Sequence, residues 1–538
     1  MLERGAIALA AALFLWFFRT VIYSGDALVY TAHIEAGELV WNPNHLFMDP
    51  VAYGWCHLLW AMGFDIAAID ALKFISGLAT LVSLVLFHAV LLQAGVANRV
   101  IRLLAVAGLF ASRNFLSMAI SEEFFMLEMP FLVLALWMLL RLPTLDDPGK
   151  LRFAAGIGAV LGLATAISIN HIVLGIAIAA YLLLLGATTK QRLSLAALFG
   201  GAATMVCLPL FVMGYALSDA QAGFVNWLVA YQGSTENPLA SLYGLSLTPA
   251  GIATSLARLG LNTFTNLMSV GPLGTIMKSV VFGSPLEMTV QPGRAVIGVL
   301  LLFGIIATLA LLALWILRHW RERVVQLGLI WIASFYVFNF FWDDSSDQFW
   351  FQLLPVIWLF FALFVSESKV AVSRYRFALM ALLVPVLWVF NFAQEVMPRT
   401  FVDLPGLAAQ HDKLLRSGDL EVFPGWDDIR WIQGPGGGLD VTQVSLMQGA
   451  LNAKREPEVL ERLAARIEAH LRSGQRVLIA RVYDLDREAR PWDQLRKLGW
   501  SRDQLKKTFA RFDTRVIGTV DDIVFREFIL RAEPPSGG

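Results

Sequence analysis

The stretch Ser24–Pro50, SGDALVYTAHIEAGELVWNPNHLFMDP, decides how this chain is read. It follows an apolar run long enough to cross a membrane. It carries four acids (Asp26, Glu35, Glu38 and Asp49) and two histidines (His33 and His45), yet no Lys or Arg. A polar, aromatic, acid-bearing segment placed directly after a greasy helix needs a reason for acids to sit just outside a hydrocarbon layer.

Outward from this stretch, the composition is that of a membrane protein. Of 538 residues, 57% are hydrophobic and 16% charged, and the mean hydropathy is +0.63. A soluble domain carries roughly 25% charged residues. Apolar runs of about 18 or more residues recur, the length needed to cross a bilayer core. The expected fold is an α-helical polytopic membrane protein with about eleven transmembrane helices, near 5–23, 67–93, 99–119, 124–141, 152–168, 171–187, 194–216, 295–317, 324–341, 348–365 and 373–392. Segment 47–64 is aromatic and half-apolar and is expected to form an interfacial helix. The N-terminal run lacks a clear small-x-small cleavage site, so it is expected to stay as an anchor. Formal net charge is zero. Overall charge therefore names no partner, and no nucleic-acid partner is expected. Cys56 and Cys207 read as free thiols that pack as small apolar groups.

Charge placement gives an orientation. With the N-terminus cytoplasmic, the inner connections are RLPTLDDPGKLR, TTKQR, RHWRER, SESKVAVSRYR and the turn holding Arg99 and Arg102, all of them basic. The outer connections are 24–66, SEE, the Asn170–His171 turn, 217–294 and WDDSSD. This is a positive-inside pattern, and an odd number of spans puts the C-terminus outside. The expected location is a bacterial inner membrane. Residues 1–393 form the expected transmembrane domain, with outer loops 24–66 and 217–294. The longer loop reads equally as a binding lid or a solvated spacer. Residues 394–538 are charged and mixed, with a strand at VLIARVY, a helix at EVLERLAARIEAHLRSG and a late strand at DDIVFREFIL. They are expected to form an extracytoplasmic soluble α/β domain.

The chemistry-bearing residues gather at the outer side. Asp26 lies just beyond the first span, Glu122 and Glu123 in the second outer connection, and Asp343, Asp344 and Asp347 in the fourth. Arg113, Lys73, His45 and His171 lie near outer span ends. Carboxylates at this depth are costly unless wet or paired, which makes them functional candidates. Asp26 also has the chemistry of a helix N-cap, and Lys73 has Asp70 one turn away as an ion-pair partner.

An acid just after the first span, a second acidic motif in the next outer loop, about a dozen apolar spans and a soluble C-terminal domain together resemble the GT-C superfamily of polytopic membrane glycosyltransferases. The GDALVY…NPNHLFMDP pattern resembles the protein-mannosyltransferase-like group of bacterial type. It departs from eukaryotic protein mannosyltransferases, where an adjacent Asp-Glu pair stands in the first loop; here Ala27 follows Asp26. The resemblance implies a hexosyl- or pentosyltransferase that takes a sugar from a polyprenyl-phosphate donor, among membrane lipids, to a glycan, lipid or protein acceptor.

Physical chemistry leads to the same arrangement. A lipid-phosphate sugar holds its reacting carbon at headgroup level, so a base must lie immediately beyond a span end, as Asp26 does. The expected mechanism is inverting, with Asp26 as base and Glu122 or Glu123 orienting the acceptor or fixing a cationic side chain. Arg113, Lys73, His45 and His171 are the available groups for the donor phosphate. No ligand-rich loop demands a metal, so no cofactor is expected, although a divalent cation between Asp26 and the second-loop acids is compatible with hard-cation chemistry. The competing readings are a transporter or flippase for lipid-linked glycans and a non-enzymatic assembly factor. A transporter places charges at the bilayer midplane and often repeats its halves. Here the charges lie at the surface and no repeat is evident.

Overall fold

The computed structural model describes residues 2–21, 30–31, 33–122, 124–185, 188–218, 223–229, 292–342, 350–367, 370–401, 403–424, 441–446, 459–480, 482–483, 495, 500–520 and 523–531. The chain divides into two compact units, with a boundary at Thr400.

The first unit is helical. Among the described residues, five helices are long and apolar enough to cross a bilayer: Ala68–Gln93, Phe125–Thr144, Asp147–Ile167, Thr189–Leu217 and Arg374–Asn391. Shorter apolar helices are His171–Leu185, Phe303–His319, Arg323–Asn339 and Phe351–Ser366. The expected first span is a helix over Leu2–Phe17. The run expected as a single span at 99–119 is broken. Helices Arg99–Ala111 and Arg113–Ile120 meet at a 68° bend. Ser112 makes the joint: its backbone is extended, its hydroxyl donates to the Gly108 carbonyl at 2.9 Å, and the same oxygen accepts from Trp358 Nε1 at 2.9 Å. A serine that bonds back to its own helix loosens it, and the indole holds the opened turn.

The ends of the helices follow local chemistry. Asn98 caps Arg99–Ala111 by accepting from the Val100 and Ile101 amides. Asp146 caps Asp147–Ile167 through the Gly149 amide, and Thr188 caps Thr189–Leu217 through the Gln191 amide. At this same end, Glu3 is held by Arg102 at 2.9 Å and His88 at 2.6 Å, which ties the first helix to its neighbours. Helices Asp147–Ile167 and Thr189–Leu217 pack closely because Gly158 and Gly162 face backbone. A Cβ at Gly158 would lie 2.1 Å from the Phe199 carbonyl oxygen, and one at Gly162 2.8 Å from that of Ala203. Small residues four apart permit this approach between apolar helices.

At the opposite end, the first loop forms a short 3₁₀ turn over Pro43–His45 and then the helix Met48–Ala61. This helix is anchored to the bundle by its indoles. Trp55 Nε1 donates to Ala71 O at 2.9 Å, and Trp60 Nε1 donates to Ile66 O at 2.8 Å. Gly63, at φ +87°, turns the chain out of the helix, a conformation that glycine adopts without strain.

The second unit is built on residues 401–531. Strands β1 (Leu420–Phe423), β2 (Thr442–Ser445), β3 (Val477–Ala480), β4 (Phe512–Val520) and β5 (Ile523–Leu530) form a sheet in the order β2-β1-β3-β5-β4. The first three are mutually parallel; β5 runs antiparallel to β3 and to β4. Helix Val459–Arg472 precedes β3. Ile467, Val477, Ile479, Phe509 and Phe528 fill the core beneath it. β1 and β3 are buried along their whole length, which explains the continuous apolar sequence of β3; in β1 the exception is Glu421, buried against His411. A buried His411–Glu421 pair at 2.8 Å and an Arg476–Asp419 pair at 2.6 Å flank β1.

Candidate active site

Asp26 and Glu123 lie outside the described residues, as do Asp343, Asp344, Asp347 and most of the 217–294 loop. The remaining candidates fall into separate places. Glu122 is buried, 1% exposed, in the turn after Arg113–Ile120. Lys73 is also buried, on the second turn of Ala68–Gln93, with its ammonium 3.0 Å from Asp70 Oδ1. That is the local ion pair its spacing allowed, and it offsets the charge that a phosphate would use.

His45 and His171 come together. The backbone joins their segments, with the Ile169 amide donating to Asn44 O at 3.1 Å. His45 packs edge-on to Phe125, in the same 3₁₀ turn as Glu128. Glu128 Oε2 lies 3.0 Å from His171 Nε2, both fully buried. Gln352 donates to the other Glu128 oxygen, and Trp331 Nε1 donates to the Gln352 carbonyl at 3.1 Å. Phe335 closes the ring edge of His171. Asn170, 2% exposed, has no hydrogen-bond partner for either amide atom among the described residues, and neither has His171 Nδ1. Glu128 and Gln352 carried no signal in the sequence: each sits in an apolar run, and only the fold pairs them.

This cluster suits hydroxyls better than phosphate. Burial, aided by the nearby His171, pushes the His45 imidazole down to about 4 despite a hydrogen bond to the Ile167 backbone. A neutral ring hydrogen-bonds but brings no charge. Four residues on, Asp49 is 5% exposed, with no hydrogen-bond partner for Oδ2 among the described residues, and burial pushes its carboxyl up to about 7.

Arg113 behaves differently. Its Nε lies 2.6 Å from Glu395 Oε1, and Arg399 approaches the other oxygen of that carboxylate at 3.2 Å. Arg399 also donates to Ser117 Oγ at 2.7 Å. Its carbonyl accepts from Thr20 Oγ1 at 3.4 Å, and the Thr20 amide donates to Ile120 O at 3.0 Å. Thr20 lies six residues before Asp26. Burial pushes the Glu395 carboxyl up, but the charges of Arg113 and Arg399 and the Arg113 hydrogen bond outweigh it, leaving it below the usual carboxylate range. Neither Glu395 nor Arg399 stood out in the sequence. Among the described residues, no group of three His, Cys, Asp or Glu side chains is placed to hold a metal.

The chain shares its fold with solved structures of GT-C superfamily glycosyltransferases, the superfamily that the sequence resembles. Among solved structures, ArnT from Cupriavidus metallidurans in the apo state matches with a TM-score of 0.54 at 12% identity, over 97% of each chain. The same protein bound to undecaprenyl phosphate matches with a TM-score of 0.53 at 12% identity, again over 97% of each chain. The archaeal oligosaccharyltransferase AglB from Archaeoglobus fulgidus, in complex with an inhibitory peptide and a dolichol-phosphate, matches with a TM-score of 0.52 at 12% identity over 95% of this chain and 72% of its own. At this identity the likeness is one of fold. No protein-family model matches the chain, and no curated protein does.

Proposed function

We propose that this protein is a membrane glycosyltransferase that moves a sugar from a polyprenyl-phosphate donor to an extracytoplasmic acceptor. The observation that carries the reading is a fold shared along nearly the whole chain with two proteins whose structures hold polyprenyl phosphates. In this reading the eleven apolar segments each cross the membrane, the N-terminus is cytoplasmic, and the second unit lies outside.

Asp26, nine residues after Phe17 in sequence, accepts the proton of the acceptor hydroxyl. The acceptor oxygen forms a bond to the anomeric carbon from the face opposite the phosphate. The carbon–oxygen bond to phosphate breaks, and its electron pair leaves on the phosphate, so configuration inverts. Base assistance of this kind contributes typically 10²–10⁴-fold. Glu122 or Glu123 orients the acceptor. Arg113 stabilises the departing phosphate at the helix bend. His45 and His171 serve as hydrogen-bonding groups beside the orphaned Asn170 amide. Lys73, already paired, holds its helix. The expected position of these groups at outer span ends supports a transferase over a flippase, which places its charges at the bilayer midplane. The test is sugar transfer by purified protein from a set of labelled polyprenyl-phosphate sugars to a cell-envelope extract. Product formation by the wild type and its loss in Asp26→Asn support the reading; equal product from both excludes Asp26 as base.

A further inference from the structure

Asn170 stands just before the helix His171–Leu185. This is the N-cap place, where an asparagine oxygen ordinarily accepts from an amide of the first turn. Here Oδ1 accepts from none, and Nδ2 is equally without a hydrogen-bond partner among the described residues. The residue is 2% exposed. Its neighbours repeat the pattern. Asn44 Oδ1, His171 Nδ1 and Gln352 Oε1 are buried without hydrogen-bond partners among the described residues. Glu128 Oε2 and His171 Nε2 approach to 3.0 Å without the alignment of a hydrogen bond.

These five residues come from four separate connections that the charge pattern places outside. Asn44 belongs to the first loop, Glu128 to the turn after SEE, Asn170 and His171 to the turn between two apolar helices, and Gln352 to the turn after WDDSSD. The Ile169 amide donates to Asn44 O at 3.1 Å, and the Gln352 carboxamide donates to Glu128, so the connections meet. A network that only joins loops would pair its donors with its acceptors. A buried polar group without a partner costs stability, and keeping several together points to another use. Their chemistry is that of hydroxyl recognition. A carboxamide offers an acceptor and a donor side by side, which matches two neighbouring hydroxyls. Glu128 brings a carboxyl, and no Lys or Arg pairs with it among the described residues, which disfavours a phosphate here.

We propose that Asn170, flanked by Glu128 and His171, is the specificity-determining residue of a subsite for an uncharged sugar ring. Its carboxamide spans two neighbouring hydroxyls: one donates to Oδ1, and the oxygen of the other accepts from Nδ2. Glu128, held by Gln352, accepts from a third. This rests on the transferase reading for its ligand and adds to it the residue that selects the sugar. A site built on hydroxyl contacts rejects a sugar that lacks them, because its buried groups are then left unpaired. The ring reaches the site on the lipid donor or on a glycan acceptor, and the hydroxyl chemistry is the same in both.

The test is equilibrium titration and thermal melting of purified full-length protein in detergent. The probes are farnesyl phosphate, its mannosyl, glucosyl and arabinofuranosyl esters, and the methyl glycosides of the same three sugars. The variants are Asn170→Leu and Asn170→Ser. At least one sugar ester should bind the wild type more tightly than farnesyl phosphate. Asn170→Leu should weaken that ester about five- to a hundred-fold, the value of two neutral hydrogen bonds, and leave farnesyl phosphate unchanged. Asn170→Ser should fall between, and it carries the same test if the leucine variant folds poorly. The melting temperature of Asn170→Leu should hold or rise, because a buried amide without a partner is removed. Loss confined to a methyl glycoside keeps the subsite and assigns it to the acceptor. Wild-type affinities in both variants overturn the subsite, and so does an equal loss for farnesyl phosphate and its esters, the mark of a purely structural residue. If no ester binds above farnesyl phosphate and no glycoside binds, the uncharged sugar is refuted as the ligand. The readout needs no transfer: sugar-selective binding without transferase activity would keep the subsite and sink the proposed function. Transfer by an Asn170→Leu protein with wild-type sugar preference would do the opposite.

Discussion

His45 and Asp49 stand four residues apart in the first loop and respond to burial in opposite senses. The His45 imidazole is pushed down to about 4 and the Asp49 carboxyl up to about 7. Between pH 4 and 6.5 the unfolded chain binds more protons at position 45 than the folded one, so His45 makes stability rise with pH. Over pH 4 to 7 the folded chain binds more protons at position 49, so Asp49 makes stability fall with pH. The two contributions oppose each other over most of that window. Each single variant should therefore unmask the other: melting curves of His45→Gln should show stability falling from pH 4 to 7, and those of Asp49→Asn should show it rising to pH 6.5 and then level. A shift of three units is worth about 4 kcal/mol at most. Parallel pH profiles for both variants and the wild type would show that neither group is buried as described. Asp26 has a separate prediction. Asn caps a helix nearly as well as Asp but accepts no proton, so Asp26→Asn should keep folding and cut transfer by about 10² or more. Asp26→Ala should lose about 1 kcal/mol of stability besides. An active Asn variant beside a merely less stable Ala variant reduces Asp26 to a cap. At this scale the sequence revealed what composition exposes: acids without nearby cations, in a loop after a span. It hid Glu128, Gln352, Glu395 and Arg399, whose meaning comes from partners far along the chain. The pairing of Arg113 with a glutamate 282 residues away has no local trace.

Among the elements, long apolar periodicity located helices well and their breaks badly. The run 99–119 reads as continuous because Ser112, Arg113 and Asn114 are a brief polar lapse in an apolar segment. What turns the lapse into a 68° bend is tertiary, a Trp358 indole that holds the serine hydroxyl. Gly108 lies beneath that indole, where a Cβ would come within 2.3 Å of the ring. Glycine spacing carries more information than hydropathy for the pair Asp147–Ile167 and Thr189–Leu217. Gly158→Ala places a methyl into the Phe199 backbone, which cannot move aside as a side chain would, and the helices must part. The expected cost is about 1–3 kcal/mol, read as a lowered melting temperature in detergent. Gly175→Ala serves as the control, because nothing lies within 4 Å of its added Cβ and alanine is the better helix former. Equal melting temperatures for the two variants would mean that the 158–162 contact is not close in the folded protein.

For the whole molecule, parity decides which side of the membrane the second unit occupies. The bent pair is the segment on which parity depends. Arg99–Ala111 has 13 residues, about 20 Å of helix, short of the roughly 30 Å hydrocarbon core. Were the pair to dip in and return, every later connection would change sides. The basic connections then argue against that. RLPTLDDPGKLR, TTKQR, RHWRER and SESKVAVSRYR would all face outward, reversing the positive-inside bias at four places while leaving it intact at Arg99 and Arg102. A crossing made of two bent halves, completed by Arg113–Ile120, keeps all five basic connections inside and gives an odd count. The expected outcome is a second unit on the outer side. A phosphatase that folds only outside the cytoplasm, fused after Gly538, should be active, and so should one inserted in the first loop at Gly37. A cytoplasm-only reporter should be silent at both. Activity of the phosphatase at Gly37 with silence at Gly538 would make the bent pair re-entrant. It would also put residues 401–531 on the cytoplasmic side, against the proposed orientation.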